Sequence, residues 1–258
     1  MALSLKDSTV FITGSSSGIG SSCAREFARA GANLLLAARR IDRLEALAAR
    51  LRKEFSIRTH TFKLDVRVQK DVEKAIGSLP KEWQAIDVLV NNAGLSRGLD
   101  KLQEGNIADW DEMIDTNVKG LLYVTRAVLP GMISRGKGHV INIGSIAGLA
   151  VYPGGNVYCA SKYAVRALSE GMKMDLLGTP VRVTSIDPGL VETEFSIVRF
   201  HGDSERAAKV YDGIQPLTGD DIADAAVFCA TRPPHVNINQ VVLMPAAQAS
   251  ATLVDRKA

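Results

Sequence analysis

The sequence predicts an α/β fold, one doubly wound and mostly parallel sheet with helices on both faces. Three observations predict it. Strand-like and helix-like patterns alternate along all 258 residues, the order that builds a parallel sheet through helical crossovers. The strand segments read as near-continuous apolar runs, as they must when helices cover both faces. A glycine-rich turn, GSSSGIG at residues 14–20, separates the first strand from the first helix. Sheets of this kind bind dinucleotides at such a turn.

The first strand is predicted over residues 8–13, STVFIT, a β-branched run ending at Gly14. Cys23, Ala24, Phe27 and Ala28 then repeat at helical spacing up to Gly31. Residues 33–38 (NLLLAA) give the second strand, and Leu44, Leu47, Ala48 and Leu51 mark an amphipathic helix. Residues 59–66 are read as the third strand. The helix after it, through Val72, Ala75, Ile76 and Leu79, stops at Pro80. Residues 87–90 form the fourth strand and run into Asn91-Asn92-Ala93-Gly94. One helix is predicted from near Asp109 through Met113, Asn117, Leu121 and Val124 to Val128. Residues 139–143 are the fifth strand, and a long helix from Tyr158 to about Leu177 follows. Residues 181–186 are the sixth strand, ending at Asp187-Pro188-Gly189, and residues 240–244 are the seventh. No linker or repeat interrupts this rhythm, so residues 1–258 read as a single domain. Two segments stand outside it: residues 190–216, and the tail at 245–258.

Composition excludes several functions. The 31 basic and 28 acidic residues leave a net charge of +3, too mild for a binder that neutralises nucleic-acid phosphates. No run of 18 apolar residues and no basic-then-apolar leader is present, so neither a membrane span nor a secretory signal is expected. Cys23, Cys159 and Cys229 are odd in number and scattered. That fits reduced thiols and a cytoplasmic protein. His60, His139, His201 and His235 lack metal-ligand spacing, so no metal is expected.

The chemistry concentrates in residues 141–164, INIGSIAGLAVYPGGNVYCASKYA. Tyr158 and Lys162 are four apart and share one helix face. A phenol ionises near pH ~10 and is a weak acid or base at neutral pH. An ammonium roughly 4 Å away, at an effective dielectric of about 20, offers about 4 kcal/mol to the phenolate. Such a Lys162 would pull the Tyr158 pKa well down, with Ser145 placed to hydrogen-bond the oxygen that exchanges the proton. This is the chemistry of alcohol and carbonyl interconversion.

The glycine turn, Gly14, Gly18 and Gly20, suits a pyrophosphate at a helix N-terminus. No Gly-Lys-Ser/Thr follows, so a P-loop is disfavoured. After the second strand an NAD-binding chain would place a carboxylate against the ribose. Arg39 and Arg40 stand there instead and suit a 2′-phosphate, which points to NADP(H). Ser15 is expected to add a hydroxyl to the same phosphate. Asp65 is placed either to meet the adenine or to cap the next helix. Asn117 either holds a water near Lys162 or bonds local carbonyls. Cys159 is read as packing and His201 as loop surface.

Together, TGSSSGIG at 13–20, NNAG at 91–94, Asn117, Ser145, YCASK at 158–162 and Pro188-Gly189 resemble the short-chain dehydrogenase/reductase superfamily. The resemblance spans essentially the whole chain. It implies a Rossmann-like domain, with Asn117, Ser145, Tyr158 and Lys162 as catalytic residues. It also implies cofactor contacts from Gly14, Ser15, Ser16, Ser17, Gly18, Ile19, Arg39, Arg40, Asp65, Val66, Asn92, Ala93, Gly94, Tyr158, Lys162, Pro188, Gly189, Val191 and Thr193. Many members are homotetramers. One departure is Gly144, where a second serine often precedes Ser145.

LVETEFS at 190–196, then VRF at 198–200, HVNIN at 235–239 and Met244-Pro245 with Gln248 resemble a subgroup, the NADP-dependent 3-hydroxy acid dehydrogenases of bacteria and fungi. This implies oxidation of L-serine, L-allo-threonine or a related short 3-hydroxy acid. Ser145, Tyr158 and Arg199 are the expected substrate contacts. Arg199 is the candidate partner for the carboxylate, unless it is solvated or pairs with a neighbouring subunit. The rivals are a broad carbonyl reductase, a 3-oxoacyl reductase, or an NADPH-binding sensor without turnover.

Overall fold

The computed structural model describes residues 3–257; Met1, Ala2 and Ala258, the extremes of the expected 1–258 domain and of its tail, lie outside the described residues. In chain order the elements are β1 (Thr9–Thr13), α1 (Gly18–Arg29), β2 (Asn33–Ala38), α2 (Ile41–Phe55), β3 (Thr59–Lys63), α3 (Gln69–Gly77) and β4 (Val88–Asn91). Then come α4 (Ile107–Ile114), a π-helical segment (Asp115–Gly120), α5 (Leu121–Ser134), β5 (Gly138–Ile143), α6 (Asn156–Asp175) and β6 (Val181–Pro188). Two short helices, α7 (Phe195–Arg199) and α8 (Ser204–Lys209), precede α9 (Gly219–Ala230) and β7 (Gln240–Leu243). The strands form one parallel sheet in the order β3-β2-β1-β4-β5-β6-β7. This is the predicted doubly wound, Rossmann-like arrangement.

The period of two along each strand sorts the core into two layers. Val10 and Ile12 of β1 join Leu34 and Leu36 of β2 on the face that α1, α2 and α9 cover. Phe11 and Leu35, one residue out of phase, join Leu89, Val124 and Met132 on the other face. The central strands β1, β2, β4 and β5 are buried throughout, whereas the edge strands β3 and β7 are half-exposed. The connections reverse direction between β1 and β4, and a ligand crevice opens at the strand C-termini beside such a reversal.

Two elements differ from the sequence expectation. The third strand stops at Lys63 rather than residue 66. The Asp65 carboxylate accepts the Arg67 N–H at 3.1 Å and its guanidinium at 2.6 Å, which turns the chain away from the sheet edge. Asp65 therefore caps no helix, since α3 begins after Val68. The single helix expected across Asp109 to Val128 is broken by the π segment at Asp115–Gly120. Such insertions are common at functional sites, and here the segment contains Asn117.

His139 of β5 is buried, with its Nε2 2.8 Å from the Thr184 hydroxyl. Burial, with Arg182 adding to it, pushes its pKa down to about 3. The unfolded imidazole binds its proton near pH ~6.5. Between those values only the unfolded chain is protonated, so stability falls as pH drops below about 6.5. His139→Gln should lack this contribution. The check is the difference in urea midpoint between the two proteins, which should narrow as pH falls from ~7 to ~4.

Candidate active site

Four strand ends converge on one cleft of about 450 Å³. Gly14, Ser17, Gly18 and Ile19 come from the β1–α1 turn, and Asn92, Ala93 and Gly94 follow β4. Ser145 follows β5, and Pro188, Gly189, Val191 and Thr193 follow β6. Tyr158 and Lys162 of α6 and Arg199 of α7 complete the predicted residues on its wall. Tyr152, Phe195 and Gln248 also line it.

The glycine turn holds its shape through β4. Gly14 has φ of +65°, and a Cβ there would come within 2.8 Å of Ala93 Cα. Only glycine meets both conditions without strain. The Thr13 hydroxyl accepts the Asn92 and Ala93 N–H groups at 3.1 Å, and Asn92 Nδ2 donates to the Thr13 and Gly14 carbonyls at 2.9 and 3.1 Å. Ser17 begins α1 with no side-chain cap bond, and the first turn has no acidic residue. The amides there remain available to a phosphate.

The 2′-phosphate candidates sit beside this turn, outside the cleft wall. Arg40 Nη2 donates to the Ser16 and Ser17 hydroxyls at 3.3 and 2.7 Å, and its Nη1 to Glu194 at 2.9 Å. Arg43 holds the other Glu194 oxygen at 2.7 Å. A carboxylate bridging two guanidiniums shows that this corner accepts an anion, so the residues fit NADP(H). Arg39 instead faces Glu112 at 3.5 Å. Ser15 departs from expectation. Its hydroxyl is wholly buried and bonds the Ile12 and Ala37 carbonyls at 3.3 and 3.4 Å, tying β1 to β2. Ser16 and Ser17 supply the hydroxyls beside Arg40. Asp65 is engaged by Arg67, and Val66 is buried in the core.

Ser145 opens a 3₁₀ turn, where its Oγ accepts the Ala147 N–H at 3.1 Å. Tyr158 is buried among Leu95, Met113, Ala147 and Cys159, with its ring 5.7 Å from Phe195. Lys162 Nζ donates to the Ile143 carbonyl at 2.9 Å and lies 5.9 Å from the Tyr158 ring centre. Asn117 Oδ1 accepts the Leu95 N–H at 2.8 Å, while its Nδ2 donates to the Leu95 carbonyl and the Ser161 hydroxyl at 2.8 and 3.0 Å. Its partners are brought from afar in the chain, by the loop after β4 and by α6. A Cβ on Gly94 would lie 3.2 Å from Asn117 Oδ1 and 3.7 Å from Lys162 Nζ, so the two side chains approach the same small space.

The electrostatics correct one expectation. Burial raises the Tyr158 pKa above that of an ordinary phenol, and Tyr152 adds to the rise. Arg199 and the Ser145 hydroxyl pull the other way, and burial outweighs them. The Lys162 ammonium is turned to the Ile143 carbonyl, while the Arg199 guanidinium stands 5.3 Å from the Tyr158 ring centre. Lys162 itself is lowered to about 8, mainly by burial, with Asp187 opposing.

Arg199 lies between Phe195, at 5.0 Å, and Tyr158. One guanidinium nitrogen donates to the Tyr152 hydroxyl at 3.1 Å, and its buried Nε has no partner. Buried donors without partners are rare. The segment carrying it is fastened on both sides. Gly98 N–H donates to the Arg199 carbonyl at 2.9 Å, and Tyr211 Oη to the Val191 carbonyl at 2.9 Å. The tail also returns to the site, where Gln248 Oε1 accepts the Leu190 N–H at 2.9 Å. Sequence reading assigned no site role to Tyr152, Phe195, Gln248 or Glu194. Glu194, Phe195 and Gln248 carried a signal only as members of the subgroup's patterns, and Tyr152 carried none of its own.

Comparison with known proteins identifies the family. The family model for short chain dehydrogenase matches residues 8–203. The NADP-dependent 3-hydroxy acid dehydrogenase YdfG of Salmonella typhi is 50% identical over 245 residues, covering 95% of this chain and 97% of that protein. The NADP-dependent 3-hydroxy acid dehydrogenase of Schizosaccharomyces pombe is 46% identical over 254 residues, covering 98% of each. A closed form of serine dehydrogenase complexed with NADP+ superposes with a TM-score of 0.90 at 46% identity, over 97% of this chain and 100% of that one. With a family model matched across most of its length and relatives alike from end to end, the chain belongs to the short chain dehydrogenase family.

Proposed function

We propose that the chain is an NADP-dependent 3-hydroxy acid dehydrogenase, moving a hydride between NADP(H) and the 3-hydroxyl carbon of a short 3-hydroxy acid such as L-serine or L-allo-threonine. The observation that carries this reading is Arg199, a half-buried cation whose buried Nε has no partner, beside the Tyr158 ring. A hydroxyl held at Tyr158 would leave a carboxylate within reach of that guanidinium. When bound, NADP+ supplies the hydride acceptor and NADPH the donor.

In the oxidative direction Tyr158 takes the substrate hydroxyl proton, and Ser145 hydrogen-bonds the same oxygen and fixes its distance. Lys162 keeps a positive charge on the shared helix face, and Asn117 holds the backbone at Leu95 beside it. Because the Tyr158 pKa is raised, oxidation gains rate as pH rises, while the neutral phenol serves carbonyl reduction. The same reading makes residues 1–258 one catalytic unit whose 190–216 segment covers the substrate. It also makes the protein a cytoplasmic homotetramer, with buried cysteines that stay reduced and a mass measurable by light scattering.

A panel of L-serine, L-allo-threonine, an uncharged alcohol and an acyl thioester, assayed with the two cofactors at mildly alkaline pH, tests the function. Preference for the thioester or the uncharged alcohol would reject it. Arg39→Ala with Arg40→Ala should weaken NADPH by about 10–100-fold, the loss of one or two charged hydrogen bonds, and NADH far less. Fluorescence titration reads both affinities, and an unchanged ratio would place the 2′-phosphate elsewhere.

A further inference from the structure

Asp187, at the end of β6, is a buried carboxylate that the proposed chemistry does not use. It is 2% exposed. Oδ1 accepts the Ser145 N–H at 3.1 Å and the Ser185 hydroxyl at 2.9 Å, and Oδ2 accepts Gln240 Nε2 at 2.6 Å. Among the described residues, no Lys, Arg or His forms a salt bridge with it. A carboxylate buried without a bonded cation is costly, and its charge acts strongly on any buried cation nearby.

Gly144 explains how it fits. A Cβ on Gly144 would overlap Asp187 Oδ1 outright and lie 3.0 Å from the Ser185 hydroxyl. The glycine is therefore needed for space rather than for backbone conformation. It lets the carboxylate lie against the main chain. The tripeptide Ile143-Gly144-Ser145 is held along its length. The Ile143 carbonyl accepts Lys162 Nζ at 2.9 Å, Gly144 N–H donates to the Ile186 carbonyl at 2.7 Å, and Ser145 N–H donates to Asp187. One short stretch of backbone thus sets the Lys162 ammonium and the Ser145 hydroxyl relative to each other.

We propose that Asp187 is a positioning residue for the proton-transfer site: lodged in the space left by Gly144, it fixes the Ser145 backbone and provides the buried counter-charge to Lys162. This rests on the reading of Ser145, Tyr158 and Lys162 given above. Asp187 is the charged group that opposes the effect of burial on Lys162. A further ionisable group beside the Lys162 ammonium is Tyr158, whose ring centre is 5.9 Å away.

Asp187→Asn tests the charge with little change of shape. The amide oxygen still accepts from Ser145 and Ser185, and the Gln240 amide turns over to meet the new N–H₂. We expect L-serine KM and NADPH affinity within about 2-fold of wild type, and kcat for carbonyl reduction about 2-fold lower at pH ~7 and about 10-fold lower well above pH ~8. The alkaline limb of the kcat profile for carbonyl reduction, where Lys162 loses its proton, should move to lower pH by about one. The double variant Gly144→Ser with Asp187→Ser refills the space without charge, and should show the same displaced limb even if Asp187→Asn folds poorly. A smaller kcat with the limb unmoved in both variants would reduce Asp187 to a packing residue and overturn the proposal. Tyr158→Phe separates the two failures. If it stays active the underlying reading falls, and if it is inactive while the Asp187 limb is unmoved only this proposal falls.

Discussion

Replacing Tyr158 by phenylalanine is expected to lower kcat for L-serine oxidation by about 10²–10⁴-fold, the usual contribution of a positioned acid or base. NADPH affinity should stay within about 2-fold, because the ring and its contacts with Phe195 and Arg199 are retained and RT ln 2 is small. The two measurements are independent, steady-state rates for the first and fluorescence titration for the second. The geometry makes the phenol hard to replace. It is buried, so bulk water is a poor substitute, and the Ser145 hydroxyl is the neighbour that favours its ionised form alongside Arg199. Wild-type turnover in this variant would end the assignment.

Arg199→Ala should raise KM for L-serine by about 10–100-fold, the cost of one charge-assisted hydrogen bond to a carboxylate. An uncharged alcohol should change by less than about 3-fold in KM, since it has no charge to lose. A second effect has the opposite chemistry and a different readout. Arg199 lowers the Tyr158 pKa, so its removal lets burial raise that pKa further. The rise of oxidation rate with pH should then move to higher pH for both substrates. Loss of KM alone would mean that Arg199 only binds, and a shifted profile alone that it only tunes Tyr158. Equal KM effects on both substrates would remove it from carboxylate recognition.

These predictions join residues the sequence makes legible to residues it does not. The alternation of apolar runs with amphipathic segments determines the α/β class, because a strand covered on both faces has no polar side to alternate. The i, i+4 spacing places Tyr158 and Lys162 on one helix face, since that follows from helical geometry alone. Arg39 and Arg40 at the end of β2 follow similarly from local order, as does the glycine turn. Even the strand ends are read to within a few residues.

What required tertiary structure is every relation between distant segments. Asn117 meets Leu95 across 22 positions, and it does so from a π-helical turn that no propensity marks. Ser15 turns inward because the Ala37 carbonyl of β2 is there to accept it. Asp187 reaches Ser145 across 42 positions and makes Gly144 a matter of space. The Lys162 ammonium, adjacent to Tyr158 by spacing, is claimed by the Ile143 carbonyl, and Arg199 of α7 stands over the ring. Sequence periodicity determines which face a side chain shares. Which charge it meets there depends on burial and on the hydrogen-bond partners that other strands bring, and those exist only once the chain has folded.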